Sequence, residues 1–330
     1  MKQNFSFKTA LKGMGMGMAE VVPGVSGGTI AFVTGIYEQL IDSIKAFDLE
    51  FFKLLGRARL KAAYEKVNGS FLVSLFFGMG LGLVIAIFTI SWLLLHYPPI
   101  IWGFFFGLII ASAIYILRRV DQWNMVEITL LIIATLLAFW IVQSTPASGN
   151  EALWFVFLSG MIAICALILP GISGSFILLL MGMYSVIIPS VKNLLKTFDP
   201  QYLMITAVFG AGCILGIGIF SRVLSWTFKK YKDQTLAVLS GFMIGSLWKI
   251  WPWRNPQSWL NESGELVTSS TATLGLLDME HVKLLVEANV LPGDYTLGSP
   301  HLLWTIVSVV FGFVIVFAFD RLVPDKDLEL

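Results

Sequence analysis

One interrupted peptide occurs twice in the chain. Val-Val-Pro-Gly-Val-Ser-Gly-Gly begins at Val21 and Ile-Leu-Pro-Gly-Ile-Ser-Gly-Ser begins at Ile168, each inside a strongly apolar segment. Proline removes a backbone donor and glycine carries a high entropic cost, so a Pro-Gly-x-Ser-Gly run cannot continue an α-helix. With 57% hydrophobic and 13% charged residues and a mean hydropathy of +0.81, the chain reads as a polytopic helical membrane protein. At membrane depth, unpaired backbone is tolerated only where protein covers it or where it lines a polar cavity. Two such breaks at matching places in two halves of a membrane protein point to a transport site.

The repeat extends beyond the motif. At an offset of 147, Gly13, Met14 and Ala19 align with Gly160, Met161 and Ala166, and Gly35 and Tyr37 align with Gly182 and Tyr184. Phe77-Gly78-x-Gly80 returns as Phe209-Gly210-x-Gly212, and Gly103-Phe104 with Gly107 returns as Gly241-Phe242 with Gly245. Order is kept and only loop lengths differ, which is the signature of an internal duplication.

The first repeat is read as 1–145, with a broken segment at 8–45 and spans at 71–95, 99–117 and 126–142. The second is 146–330, with a broken segment at 152–190, spans at 203–221, 235–250 and 302–319, and an insert at 251–301. The apolar stretch before the first break is well short of the ~20 residues that cross a bilayer. Each broken segment is therefore expected to be a re-entrant hairpin that returns to its starting side. With that topology, of 22 Lys and Arg only Lys192, Lys196, Lys249, Arg254 and Lys283 fall outside. The basic majority, both termini included, is cytoplasmic, as the positive-inside rule requires. Three spans per half invert the second half relative to the first. The expected fold is thus an all-α polytopic membrane protein of two inverted-topology repeats, each a re-entrant helical hairpin plus three transmembrane helices.

Other features narrow the function classes. The formal net charge of +1 implies no nucleic-acid partner. Cys165 and Cys213 lie in apolar runs and read as small core residues. His96, His281 and His301 lack metal-ligand spacing, and no cofactor or metal is implied. No cleavable signal peptide is evident: Glu20 and the first break follow the basic N-terminus where an h-region would lie. Residues 46–66 read as a cationic amphipathic helix on the inner leaflet or as a solvated linker helix. In the insert, Trp251, Trp253 and Trp259 suggest an interfacial belt.

The broken loops suggest anion chemistry. In Pro23-Gly24-Val25-Ser26-Gly27-Gly28-Thr29, glycines allow successive N–H groups to turn toward one point, and the following helix adds the partial positive charge of its N-terminus. Ser26 and Thr29 add hydroxyls. Pro170-Gly171-Ile172-Ser173-Gly174-Ser175 offers the same arrangement from the other face. A helix terminus contributes roughly 0.3–1 kcal/mol, up to ~2 when partly buried, whereas a charge at the bilayer centre costs on the order of 3 kcal/mol or more. One terminus is marginal; two opposed termini with hydroxyls are expected to hold a phosphate. A glycine-rich helix crossing would explain one copy, but two inverted copies favour the anion site. Glu20, three residues before Pro23 in an apolar frame, is an ionisable residue at membrane depth and a candidate for coupling. The equivalent position is Leu167, so the carboxylate is not needed for a hairpin to fold. Arg222 at a span end is a weaker phosphate contact.

Met-Gly-Met-Ala-Glu-Val-Val-Pro-Gly-Val-Ser-Gly-Gly-Thr at 16–29 and Leu-Pro-Gly-Ile-Ser-Gly-Ser at 169–175 resemble the bacterial polyprenyl-phosphate transporter family (PopT), over essentially the whole chain. The resemblance implies movement of undecaprenyl phosphate, the C55 carrier lipid, across the bacterial cytoplasmic membrane. It also implies return of the carrier to the inner leaflet for cell-envelope glycan synthesis. A polyprenyl tail stays in hydrocarbon, at ~0.8 kcal/mol per buried CH₂, so the headgroup alone would pass the two loops. Moving an anion toward a negative interior is opposed by ~2.3 kcal/mol per charge per 100 mV; a proton or another cation would remove that opposition, with Glu20 as its carrier. A secondary transporter of a small soluble anion is the alternative on the same scaffold. A lipid phosphatase lacks a placeable nucleophile–base pair, so the chain is not expected to be an enzyme. The sequence carries no signal for oligomeric state.

Overall fold

A computed structural model describes residues 5–21, 25–144, 150, 152–260, 266–268 and 283–322. The first half holds α1 (Phe7–Glu20), α2 (Gly27–Val33), α3 (Tyr37–Lys45), α4 (Leu49–Gly56), α5 (Leu60–Lys66), α6 (Gly69–His96), α7 (Pro98–Leu117) and α8 (Met125–Gln143). The second holds α9 (Leu153–Ile168), α10 (Gly174–Leu180), α11 (Tyr184–Thr197), α12 (Pro200–Lys230), α13 (Lys232–Ser246) and α14 (Leu302–Leu322). Among the described residues α6, α7, α8 and α12 are long and apolar enough to cross a membrane; α10 and α11 pass that test together but are bent by 112°. The stretch read as a span at 235–250 is a 15-residue α-helix running into a 3₁₀ turn, Leu247–Ile250. Its polar start at Lys232-Asp233-Gln234 places helix onset well before the apolar run.

The short helices that follow the two breaks match in length and in the way they end. These helices, α2 and α10, each have 7 residues, and their starts lie 147 positions apart, as do the starts of α3 and α11. Each short helix ends on a glycine of positive φ, Gly35 at +70° and Gly182 at +69°. The hydrogen bonds match as well. Gly35 donates to Phe32 and Ile36 to Ala31, while Gly182 donates to Leu179 and Met183 to Leu178. This is the glycine-dependent Schellman stop. Helices this short are unstable alone in water, so packing holds both.

The long helices associate in pairs: α1 with α6, α9 with α12, α7 with α14, and α8 with α13. Exchanging the two halves maps this set onto itself, as an internal duplication requires. Small residues set the contacts. A Cβ on Gly13 or Gly17 would collide with the Leu75 or Met79 carbonyl, and one on Gly78 or Gly82 with the Ala10 or Met14 carbonyl. The Gly-Met alternation at 13–18 is therefore a close-approach face, with methionines filling the sides. Across the α9–α12 pair, Cys165 donates to the Gly216 carbonyl and Cys213 to that of Gly160.

Polar links fasten the ends. Glu127 completes a capping box with Asn124 at the start of α8 and accepts from Gln234 on the neighbouring chain segment. Ser225 of α12 donates to Asp42 of α3 and accepts from Lys45. Residues 46–66 fold as two helices, α4 and α5. Leu49, Phe52 and Leu60 are 80%, 60% and 67% exposed, while Lys66 pairs with Asp48 and Glu50.

The insert departs from the all-helical expectation. Strands β1 (Arg254–Leu260), β2 (Leu266–Thr268) and β3 (Lys283–Asn289) form an antiparallel sheet in the order β2-β1-β3. Pro256 sits beside a register shift, where a missing donor is tolerated. Trp253, expected in an interfacial belt, is buried and donates to the Pro300 carbonyl, and Trp251 donates to that of Val290. These rings close the insert on itself. Trp259 forms part of β1. Of the serines and threonines at 268–273 only Thr268, at the end of β2, is among the described residues.

Candidate functional site

The two breaks meet inside the molecule. Helix α9 ends before Pro170, which has no N–H, and the carbonyls of its last turn lose their usual donors four residues on. The Leu167 carbonyl would be served by Gly171 in a continuous helix; instead it accepts the Ser26 hydroxyl at 2.9 Å. The Ile168 carbonyl accepts the Tyr37 hydroxyl at 3.1 Å. The Gly171 N–H, turned away from its own helix at a φ of +85°, is taken by Thr29 Oγ1 at 3.1 Å. Three hydroxyls of the first half thus replace the backbone partners that the second break removes. Buried backbone groups require such partners, and Ser26, Thr29 and Tyr37 are themselves buried.

The first break is closed by its own side chains. Ser26 is the N-cap of α2 and accepts from the Gly28 N–H at 3.1 Å. Glu20, at the end of α1, extends its carboxylate to the Gly27 N–H at 2.8 Å, so the start of α2 already faces a negative group. A Cβ on Gly28 would run into the Ile168 carbonyl, so only glycine lets the two loops approach this closely. Val25 is buried. Pro23 and Gly24 lie outside the described residues.

The second break is more open. Among the described residues no side chain caps α10; the Ser173 hydroxyl pairs with that of Ser175 at 2.9 Å, and Ser175 is exposed. Pro170, Ile172 and Gly174 are buried, and Gly171 packs on the backbone of Met243. Beside them lies a small cavity of about 10 Å³ bordered by Gly171, Ile172, Ser173, Phe176, Ser246 and Lys249. That is about enough for one water. Lys249 rests over the Phe176 ring, 4.9 Å from its centroid.

The sequence motifs therefore converge, but their hydroxyls divide the labour. Ser26 and Thr29 are committed to the joint between halves, whereas Ser173 borders the small cavity and bonds only to Ser175 among the described residues. Arg222 is exposed on α12 and donates to the Gly218 carbonyl of its own helix; among the described residues no hydrogen bond or ion pair ties it to either break. Lys249 is a cation at the second break that motif reading passes over. Its signal in the sequence is modest: a basic residue closing the apolar run 235–250 between two tryptophans.

A family model described as VCA0040-like, undecaprenyl phosphate translocase-like, matches residues 16–267. A relative from Vibrio cholerae serotype O1 named polyprenyl-phosphate transporter is 44% identical over 273 residues, covering 82% of this chain and 86% of its own. A Staphylococcus aureus protein of the same name is 31% identical over 269 residues, covering 76% of this chain and 88% of its own. No solved structure matches the chain. The matched residues take in the end of α1, both breaks and helices α2 to α13, and the chain belongs to the undecaprenyl phosphate translocase-like family.

Proposed function

We propose that the protein moves undecaprenyl phosphate across the bacterial cytoplasmic membrane and returns it to the inner leaflet, where envelope glycan synthesis reuses it. The names of the two relatives support polyprenyl phosphate as the transported lipid. The observation that carries the reading is the joint itself: two helix breaks from two related halves share hydrogen bonds through Ser26–Leu167, Tyr37–Ile168 and Thr29–Gly171. In this reading the halves are inverted, the hairpins are re-entrant, both termini are cytoplasmic, and the chain works as a transporter without catalysis.

The headgroup would travel past the paired loops 23–29 and 170–175 while the tail remains in lipid. The hydroxyl bonds that seal the joint would open and re-form as it passes. Glu20 holds the Gly27 N–H that a phosphate oxygen would need, so carboxylate and headgroup compete for one helix start. Protonation of Glu20 would discharge the competitor and supply the compensating positive charge, which couples anion movement to a proton. Arg222, exposed beyond the joint, would meet the headgroup only once it has left the loops.

The test is a leaflet-resolved measurement of polyprenyl phosphate in cells or liposomes carrying Ser26→Phe, Ser173→Phe or both. Loss of transbilayer redistribution with retained protein is expected. An unchanged distribution in the double variant would remove the joint from the path. Uptake of a soluble anion that polyprenyl phosphate does not inhibit would favour the small-anion alternative.

A further inference from the structure

A second, larger cavity of about 320 Å³ lies under the insert, bordered by the end of α8, by α10, by Trp248 and Lys249, and by strands β1 and β3. We propose that Lys249 and Arg254 make this cavity a docking site for a phosphomonoester, one step outside the second break. The inference rests on the transport reading for the identity of its ligand, but the site stands on its own charges and geometry.

The cavity holds two cations and one carboxylate. Arg254 Nη1 donates to Glu287 Oε2 at 2.8 Å and to the Lys249 carbonyl at 2.9 Å. Lys249 Nζ is 3.8 Å from the same Glu287 oxygen, too far for a hydrogen bond. Among the described residues one positive charge is left over. These groups are sheltered, with the side chains of Arg254, Glu287 and Lys249 only 6%, 17% and 20% exposed. Uncompensated charge in a sheltered place is costly and calls for a counter-ion.

Donor capacity is also left over. No described residue accepts a hydrogen bond from the Lys249 ammonium, and Arg254 Nε is buried without an acceptor. The guanidinium is fixed in advance, lying over the Trp102 ring at 4.0 Å from its centroid. A planar, pre-organised arginine beside a lysine is the donor set that suits phosphate.

Size and position fit a headgroup and not a whole lipid. About 320 Å³ is at the small end of ligand cavities. Phe176, Leu179 and Leu180 of α10 supply an apolar wall where the first isoprene units would lie. Lys249, Phe176 and Val142 border this cavity and the small one that holds Gly171, Ile172 and Ser173. A phosphate held by Lys249 is therefore one side chain away from the second break. The insert, which has no counterpart in the first half, acts as the receiving end of the path and supplies Arg254 and Glu287 to it.

The experiment is a tryptophan-fluorescence titration of the full chain in nanodiscs, with Trp248→Phe as the control that assigns the change to Trp248 at the cavity wall among the 11 tryptophans. The probes are farnesyl phosphate, inorganic phosphate and farnesol. Saturable binding of farnesyl phosphate without binding of farnesol is expected. Lys249→Gln should weaken it tenfold or more, because a charge-assisted hydrogen bond is lost. Gln257 lines the cavity, is exposed and is uncharged. Gln257→Glu should weaken binding by roughly tenfold and Gln257→Lys should tighten it, by added charge alone. These two variants leave the Arg254–Glu287 pair intact and so report on binding even if Lys249→Gln fails to fold. Tighter binding of farnesyl phosphate than of inorganic phosphate assigns the site to the lipid; equal affinities assign it to free phosphate. Affinities that no variant changes overturn the site. Transport measured in parallel separates the two claims. Wild-type transport with variant-insensitive binding rejects the cavity alone. Variant-sensitive binding without any lipid transport rejects the transport reading and keeps an anion site.

Discussion

Thr29 Oγ1 accepts the N–H of Gly171 at 3.1 Å, across 142 positions of sequence. The acceptor belongs to the first turn after one helix break and the donor to the turn inside the other. A lone break would leave that N–H unpaired in a buried place. Here the first break supplies that partner, together with hydroxyls for the Leu167 and Ile168 carbonyls.

The strength of the joint is testable at Thr29. Thr29→Val keeps the shape but removes the acceptor, leaving a buried N–H without a partner at a cost of about 1–3 kcal/mol. A lower unfolding midpoint in detergent is expected for Thr29→Val and a near-normal one for Thr29→Ser, which retains the hydroxyl. Equal midpoints for all three proteins would show that the Gly171 N–H finds another acceptor.

Glu20 separates structure from coupling. Glu20→Gln retains an oxygen for the Gly27 N–H and loses only the charge and the titration. Stability should change by no more than the roughly 0.3–1 kcal/mol of a carboxylate at a helix start. Transport of polyprenyl phosphate in proteoliposomes, by contrast, should lose its dependence on pH and on an imposed proton gradient. A variant that keeps both dependences places the coupling at another group.

Much of this arrangement is legible in the sequence because Pro and Gly act locally. Pro170 ends α9 whatever surrounds it, and Gly35 and Gly182 stop α2 and α10 because the stop needs positive φ. The recurrence of the motif leads one to expect the two breaks in one region, and Ser26 does reach Leu167 beside the second break. What the residues do there is less legible. Ser26 and Thr29 read as ligand donors, yet they serve orphaned backbone groups 141 and 142 positions away, a relationship no local pattern encodes. The sheet in the insert is hidden for a related reason: β1 contains Pro256 and gains its partners only across 251–301. Arg254 and Glu287 become a pair through that strand register, so their chemistry appears only in three dimensions.

The glycines of the α1–α6 contact give a matched pair of substitutions. A Cβ on Gly78 would strike the backbone of Ala10, whereas one on Gly80 meets nothing within 4 Å. Gly78→Ala should therefore destabilise by about 1–3 kcal/mol through overpacking. Gly80→Ala should stabilise by about 0.5–1 kcal/mol, because alanine is the better helix former. Unfolding midpoints of the two variants in the same detergent check both signs at once. Stabilisation by both would mean that helix propensity and not close approach governs the Gly78 position, and destabilisation by both would overturn the open space at Gly80.

Asp48 provides a pH test away from the membrane-spanning helices. Its carboxylate caps α4, accepting the Phe51 N–H at 3.0 Å, and lies 3.2 Å from Lys66. The Phe51 N–H first, with Lys66 adding to it, holds the carboxyl below the usual aspartate range. A depressed folded value means that the cap's contribution is present above the ordinary aspartate value of about 4 and is lost as pH falls through the lower folded value. Amide exchange over 49–56, corrected for the intrinsic rate, should be level from neutral pH down to about 4 and should quicken below it. Asp48→Asn keeps a good N-cap but cannot titrate, so its profile should stay flat at low pH. Because the group is exposed, added salt should weaken the Lys66 contact while leaving the capping hydrogen bond. A wild-type profile that matches Asp48→Asn at every pH would remove Asp48 as the group that fastens α4.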